Sequence, residues 1–399
     1  MDTFIPLKFF TYNWEKGLNP DSIITPPYDV YGQKQKEIFA QKSSYNFVHL
    51  DLPQSYLEAK NLLLNWIQNE ILIQSPAPCF YLMKTNYKIG QKKLTRWGIF
   101  GGLKLSPLGE KNIFPHEKTY PKAKQDRLNL MEKTSSQLSP IFGVYADKTL
   151  FLTHLGETIE EISPILTYKE NEQIEHILWK IPKKYNQEIK LFFQKQKFFI
   201  ADGHHRYETA LAYKQKKAKP GPWDYIFIYL SNITSPGVEI LPYHRMLTWE
   251  EKFNFQKVIH SAQELFEVKD LTETGSNPIA NNFDFILKQK TNQFGFKFKK
   301  PRTNYFYNLS TYLLDEFILK KELNLNEEKI KTGNYIKYTP FLEEIEEKLS
   351  QNKIQTAFLV KKVDPELFQS IALSNKLMPR KSTYFYPKVP SGLLFYSWI

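Results

Sequence analysis

The sequence predicts an α/β, or mixed α+β, protein with a mixed sheet as its core and a second, smaller α+β region. Three observations carry that prediction. Short apolar runs with strong β preference, such as Phe198–Ile200 and 224–230, alternate with stretches of helical period such as 55–70. Polar and charged groups gather where those runs end, as they do along one rim of an α/β sheet. Composition also shifts near residue 250, and 399 residues are too many for one small domain. We therefore expect a core domain over 1–250 that carries the site, and an α+β region over 251–399 whose tail, 376–396, packs back on the core.

The elements follow in order. Adjacent prolines exclude a helix in Thr25-Pro26-Pro27-Tyr28-Asp29-Val30, so this is a stiff, extended loop that can hold Tyr28 and Asp29 rigidly. Residues 33–42 predict a short helix and 46–52 an alternating strand. Residues 55–70 predict an amphipathic helix with Tyr56, Ala59, Leu62, Leu63, Trp66 and Ile67 on its apolar side. Cys79–Tyr87 and Thr95–Leu105 read as antiparallel strands about a Gly-bearing turn. Gly101 and Gly102 in the second of them signal a bulge or the close approach of another group. A helix over 125–137 and a strand over 139–145 come next. After a strand at 224–230 and a Ser-Pro-Gly turn, His244-Arg245 forms a basic cluster at a strand end. Beyond it we expect a helix over 251–267, a helix followed by strands within 280–310, and polar, surface-rich helices at 313–323 and 341–350.

The stretch around which the chain is organised is Lys197 to Tyr213. Phe198, Phe199 and Ile200 form a buried strand, Asp202-Gly203 breaks it, and a helical pattern begins at His204. Asp202 then serves as the N-cap. His204, His205 and Arg206 fall in the first helical turn, where unpaired N–H groups and the helix dipole favour an anion. Three donor or cationic side chains at such a place point to phosphate. The plainer alternative, an ordinary turn with surface histidines, accounts poorly for two histidines and an arginine in succession.

A second constellation is Pro115-His116-Glu117-Lys118-Thr119, a loop at a strand end followed by Asp126-Arg127-Leu128. Its chemistry suits phosphoryl transfer: Glu117 as base or metal ligand, His116 as acid/base, Lys118 on phosphate, Thr119 on phosphate or metal. Taken alone, it reads better as an exposed polar loop with helix-capping residues; beside the Asp-Gly-His-His-Arg turn the two readings balance. The tail, Leu377 to Gly392, is too apolar for disorder and too proline-rich for a central strand. It reads either as a C-terminal strap over the core or as a loop crossing the site, with Lys381, Ser382 and Thr383 available to phosphate.

Composition narrows the classes. No run of about eighteen apolar residues signals a membrane span, and the N-terminus lacks a secretory pattern. One cysteine, Cys79, excludes an intrachain disulfide and a four-cysteine zinc site, and fits a reducing cytoplasm. The net charge of +12 could attract nucleic acid, an acidic membrane or phosphorylated metabolites, but the lysines are dispersed rather than blocked. Only six of the 54 basic residues Lys and Arg are arginine. Where lysine is the default cation, arginine marks places that need a planar, two-pronged donor, and Arg127, Arg206, Arg245 and Arg380 all lie in motif-like stretches.

These motifs, Thr-Pro-Pro-Tyr-Asp-Val at 25–30, Asn-Phe-Val-His-Leu-Asp at 46–51, Pro-His-Glu-Lys-Thr at 115–119, Asp-Arg-Leu at 126–128, Ser-Pro-Ile-Phe at 139–142, Ala-Asp-Gly-His-His-Arg-Tyr-Glu-Thr-Ala at 201–210 and Pro-Arg-Lys-Ser-Thr-Tyr-Phe-Tyr-Pro-Lys at 379–388, run over nearly the whole chain. Together they resemble a family of cytoplasmic proteins of bacteria and archaea, domain of unknown function family 1015. Asp202-Gly203-His204-His205-Arg206 also looks like the phosphate-binding turn of the ParB and sulfiredoxin superfamily, which includes nucleotide-dependent partition proteins, sulfiredoxins and free-serine kinases. Sulfiredoxin chemistry needs a cysteine where this chain has His, and no helix-turn-helix module is evident. The resemblance implies a nucleotide-dependent small-molecule kinase using ATP or ADP with Mg²⁺, free serine or a related hydroxy metabolite being the acceptor. It implies a catalytic set of Glu117, His116 and His205. Phosphate contacts would come from Asp202, Gly203, His204, His205, Arg206, Lys118, Thr119, Arg127, Arg245, Lys381, Ser382 and Thr383, and no metal ligands are assigned. A ParB-like nucleotide- or nucleic-acid-binding regulator and a His-dependent phosphatase remain the alternatives. A nucleic-acid or membrane partner is not expected.

Overall fold

The computed structural model describes residues 2–119, 121–248, 254–273 and 282–399. The chain divides into two compact units: Met1–Glu239 with Pro387–Ile399, and Ile240–Tyr386. Thirteen α-helices, one large mixed sheet and several smaller sheets occur among the described residues.

The first unit is built on the mixed sheet. Its path runs Ile113–Phe114, Phe198–Asp202, Ile141–Tyr145, Tyr225–Asn232, Lys92–Lys104, Tyr81–Ile89, Ile174–Lys180 and Leu166–Asn171, with Phe4–Ile5 also paired to Lys92–Lys104. Two neighbours are parallel, Phe198–Asp202 with Ile113–Phe114 and Tyr225–Asn232 with Ile141–Tyr145; the other pairings are antiparallel. The two-residue period of a strand sorts its side chains between two layers. Phe198, Ile200, Ile226, Ile228 and Leu230 join Leu152, Leu155, Ile189 and Phe193 of the helices Phe151–Ile159 and Asn186–Gln194. Phe227 and Tyr229 instead pack with Phe9, Phe100 and Phe142.

Close approach, not a bulge, accounts for Gly101 and Gly102. Pairing with Tyr225–Asn232 runs through both without a register shift, and Gly102 also pairs with Ile5, while a Cβ on Gly101 would stand 2.3 Å from the Phe4 ring and one on Gly102 2.8 Å from Leu7. The C-terminal strand Phe395–Ser397 pairs with Phe9–Tyr12 and Ser136–Gln137 in a four-stranded antiparallel sheet.

The second unit carries a six-stranded antiparallel sheet in the order Phe266–Asp270, Gln293–Phe298, Phe285–Lys288, Thr356–Val360, His244–Leu247, Ile336–Thr339. Phe285, Leu287, Phe296 and Phe358 pack on Leu313, Leu314, Ile318 and Leu319, and Met246, Ile286, Ala357 and Leu359 pack on Ile345 and Leu349.

Several local expectations are corrected. Residues 46–52 are not a strand: Asn46 accepts the Val48 N–H at 3.0 Å and starts the single helical turn Val48–Asp51. A local side-chain acceptor overrides the alternation there. The helix expected over 125–137 spans Pro121–Thr134, and Ser136–Gln137 is a strand. The one expected over 251–267 stops at Ala262, where Phe266–Asp270 takes over as sheet; residues 251–253 lie outside the described residues. Within 282–310 the described residues hold strands and the 3₁₀ turn Tyr305–Asn308, with no preceding helix. The 313–323 segment is not surface-rich. Leu313, Leu314, Ile318, Leu319 and Leu323 are buried, and Asp315–Lys320 winds as a π-helix; its charged residues mask an apolar stripe.

Candidate functional site

The strand Phe198–Asp202 ends at Gly203, whose φ of 90° lies in the left-handed region, and the helix His204–Gln215 begins directly after it. A Cβ at Gly203 would stand 2.9 Å from Ile141 Cγ2 and 3.0 Å from Arg206 Nε, so both backbone and space require glycine. Gly203 occupies the cap position, with no side-chain cap bond. The expected Asp202 N-cap is therefore wrong. Asp202 is the last strand residue, and its carboxylate faces Arg206 (2.7 Å) and Lys388 instead. Burial alone would raise this carboxyl, but Lys388 and Arg206 outweigh it and hold it well below the usual carboxylate range. The first helical bond is Tyr207 N–H to Gly203 O, so the N–H groups of His204, His205 and Arg206 precede the helical ladder.

The two sequence constellations meet at a pair of histidines. The His116 N–H donates to His204 Nε2 at 3.3 Å, His116 Nδ1–H donates to Ile200 O at 2.7 Å, and the rings stand edge to face at 4.6 Å. Both are buried. Burial pushes His116 down to about 4 and His204 well below the ordinary histidine range, so each is neutral at pH 7. His204 is thus an acceptor that positions the 115–119 loop, not a cation. Glu117 is half-buried and Lys118 exposed, while His205 is half-buried in the first turn. Thr119 Oγ1 donates to Glu208 Oε2 at 2.6 Å, the oxygen that also receives Lys124 at 2.6 Å. A cleft of about 510 Å³ opens beside Glu208 and Lys124, floored by Leu108, Leu128 and Leu211.

Arg206 and Arg127 flank the Tyr28 ring, at 5.7 and 4.4 Å from its centroid. Arg206 also donates to Pro140 O, and Arg127 to Asp51 O at 2.7 Å and to Asp126. Asp51 accepts Ser139 Oγ at 2.8 Å, and Ser139 meets Ser391 at 2.8 Å. Burial pushes the Tyr28 phenol up to about 12, so it too is neutral. The cavity enclosed by Tyr28, Asp51, Arg127, Ser139 and Arg206 measures only about 40 Å³, room for a water and not for a nucleotide.

Arg245, Lys381, Ser382 and Thr383 belong to the second unit. Arg245 is fully buried, paired with Asp315 at 3.2 Å and donating to Lys381 O at 3.1 Å. Ser382 and Thr383 are buried, and Ser382 donates to Pro379 O and meets Thr311 at 3.0 Å. Sequence reasoning missed Asp51, Glu208 and Lys388 as members of the buried network. All three lie inside the quoted motifs, and only their distant partners give them their places. Among the described residues, no three His, Cys, Asp or Glu side chains form a group that could hold a metal ion, and no helix is long and apolar enough to cross a membrane.

A family profile matches residues 4–328, from the first strand of the large sheet through the histidine pair and into the second unit. The chain belongs to the family described as Protein of unknown function (DUF1015). No curated protein matches it. Among solved structures, this DUF1015 chain is similar to free serine kinase in complex with AMP, at a TM-score of 0.38 and 13% identity over 69% of this chain and 83% of that one. SbnI with C-terminal truncation from Staphylococcus aureus gives 0.40 and 10% over 73% and 84%. A conserved hypothetical protein from Pyrococcus furiosus gives 0.36 and 13% over 70% and 90%.

Proposed function

We propose that the first unit is a nucleotide-dependent phosphotransferase acting on a small hydroxylated metabolite, free serine being the first acceptor to test. The observation that carries this reading is the histidine-held junction, in which the His116 N–H bonded to His204 seats the 115–119 loop against the glycine turn and helix N-terminus. On this reading the Glu117 carboxylate and the Lys118 ammonium, next along that loop, would act beside an anion-favouring backbone end. Phosphate oxygens would meet the N–H groups of the first turn and Arg206, and Lys118 would offset the charge that develops on transfer. His116, held near 4, is a weak base at neutral pH. Glu117 is the better candidate to accept the hydroxyl proton as the acceptor oxygen bonds phosphorus and the bond to the leaving nucleotide oxygen breaks. Mg²⁺ commonly binds through substrate phosphates and one or two carboxylates, and Glu117 would supply one of them. When bound, the ion would offset phosphate charge. A histidine-nucleophile phosphatase is disfavoured at His204, because its Nε2 lone pair accepts the His116 N–H.

The test is phosphorus NMR of protein incubated with ATP or ADP, Mg²⁺ and a panel of serine and hydroxy acids. Formation of a phosphate ester, lost in Glu117→Gln, supports the reading. Absence of transfer to any acceptor, together with absence of nucleotide binding, overturns it.

A further inference from the structure

Arg96 lies in the strand Lys92–Lys104 of the first unit, outside the motifs on which the phosphate reading draws, and is fully buried. Its guanidinium covers two rings of the sheet, 4.9 Å from the Phe142 centroid and 5.5 Å from that of Tyr229. Gly98 makes room for this, since a Cβ there would stand 2.0 Å from Tyr229 Cζ. Nη1 donates to Pro387 O at 2.7 Å and so fixes the group in place. The next residue, Lys388, binds Asp202, and Asp202 pairs with Phe142 in the sheet. Arg96 is thereby tied to the strand end that carries the glycine turn.

The remaining donors of Arg96 are uncommitted. Nε and Nη2 are buried and meet no hydrogen-bond acceptor among the described residues, and the Tyr229 hydroxyl is likewise buried without a partner. Arg127, Arg206, Arg245 and Arg302 each pair with a carboxylate, whereas Arg96 pairs with none among the described residues. Thr85, opposite Arg96 in the ladder, is engaged with His176 at 3.0 Å, and Ser231 donates to Trp97 O at 2.6 Å. Burial raises the Tyr229 phenol, which keeps it a neutral donor. An arginine holds its charge inside a protein, and a buried charge without a counter-ion is costly. Ring faces and one carbonyl offset part of that cost. Water would satisfy the two N–H groups and leave the charge unanswered. Nε and Nη2 share the guanidinium edge that grips a carboxylate through two parallel hydrogen bonds. One guanidinium matches a monoanion, and two flat ring faces match a planar one, which favours carboxylate over phosphate.

We propose that Arg96 anchors a binding site for the carboxylate of a small metabolite, with the Tyr229 hydroxyl as a third donor. Because Arg96 is fully buried, the guest enters by local opening. Titration calorimetry and melting curves of the full chain with acetate, lactate and L-serine test it, against acetamide, ethanolamine and inorganic phosphate. At least one carboxylate should bind and raise Tm, and the uncharged or cationic analogues should not. Arg96→Met should weaken that carboxylate tenfold or more while the ligand-free protein melts no lower than wild type, since it loses an unpaired buried charge. Should Arg96→Met fold poorly, Arg96→Lys keeps the charge without the fork and should also weaken binding, and the carbon NMR signal of labelled carboxylate on wild-type protein supplies a second readout. Binding of none of the carboxylates overturns the site, as does equal binding of acetamide or a response to phosphate alone. Unchanged carboxylate affinity in Arg96→Met, with a lowered ligand-free Tm, would mark a structural strut and also overturns it. None of these outcomes needs a nucleotide, so they stand apart from the phosphotransferase test.

Discussion

Replacing Arg206 separates its structural part from its proposed phosphate part. Arg206 is 8% exposed, its guanidinium bonded to Asp202 at 2.7 Å and to Pro140 O and seated over Tyr28. Removing one partner of a buried ion pair costs about 3–5 kcal/mol. Lys388 still balances Asp202, so Arg206→Ala belongs at the lower end, about 3 kcal/mol. For a unit of this size, that lowers Tm by roughly 6–12 °C. Arg206→Lys keeps the charge near Asp202 but abandons the Pro140 carbonyl, at a cost of about 1–2 kcal/mol. Nucleotide affinity should fall about tenfold in Arg206→Lys and further in Arg206→Ala, since one charge-assisted hydrogen bond contributes about 1.5–3 kcal/mol. Lys216→Ala is the control: its partner Glu132 is exposed, as it is itself, and such a surface pair contributes at most about 1 kcal/mol. Scanning calorimetry of the ligand-free variants and titration calorimetry with ADP read the two effects. An unchanged Tm in Arg206→Ala refutes the buried network, and unchanged ADP affinity in both Arg206 variants refutes the phosphate turn.

Three further outcomes are expected. His116 has a folded pKa depressed to about 4 from 6.5, so its contribution is complete above pH 6.5 and is lost as pH falls from there toward 4. That amounts to about 3 kcal/mol at most, and pH-dependent melting should be flatter in His116→Gln than in wild type. Gly203→Ala forces a left-handed φ of 90° on alanine and a 2.9 Å contact with Ile141, which should cost at least about 2 kcal/mol and lower Tm accordingly. Lys388→Met removes the cation that tail residue 388 brings to Asp202, so a carboxyl titration followed by carbon NMR should show the Asp202 pKa rising; no movement would mean that Arg206 alone holds it down.

The central strand, its glycine turn and the following helix are legible in the sequence because their signals are local: a β-rich triplet, a residue free to adopt positive φ, then helical period. The same holds for the helices Gln33–Lys42, Tyr56–Gln68 and Leu342–Ser350 and for the strands Tyr81–Ile89 and Tyr225–Asn232. Local signals failed where a side chain or a distant partner overrode them. Asn46 turned an alternating stretch into a helical turn, and sheet packing in the second unit buried the stripe within 313–323. At the candidate site the sequence determined which residue types were present, but not their states. Neutral histidines, Asp202 turned from cap to counter-ion, and Lys388 drawn to it from 186 positions away all follow from tertiary contact. Charge and protonation depend on burial and on neighbours far along the chain, and only the folded arrangement brings those neighbours together.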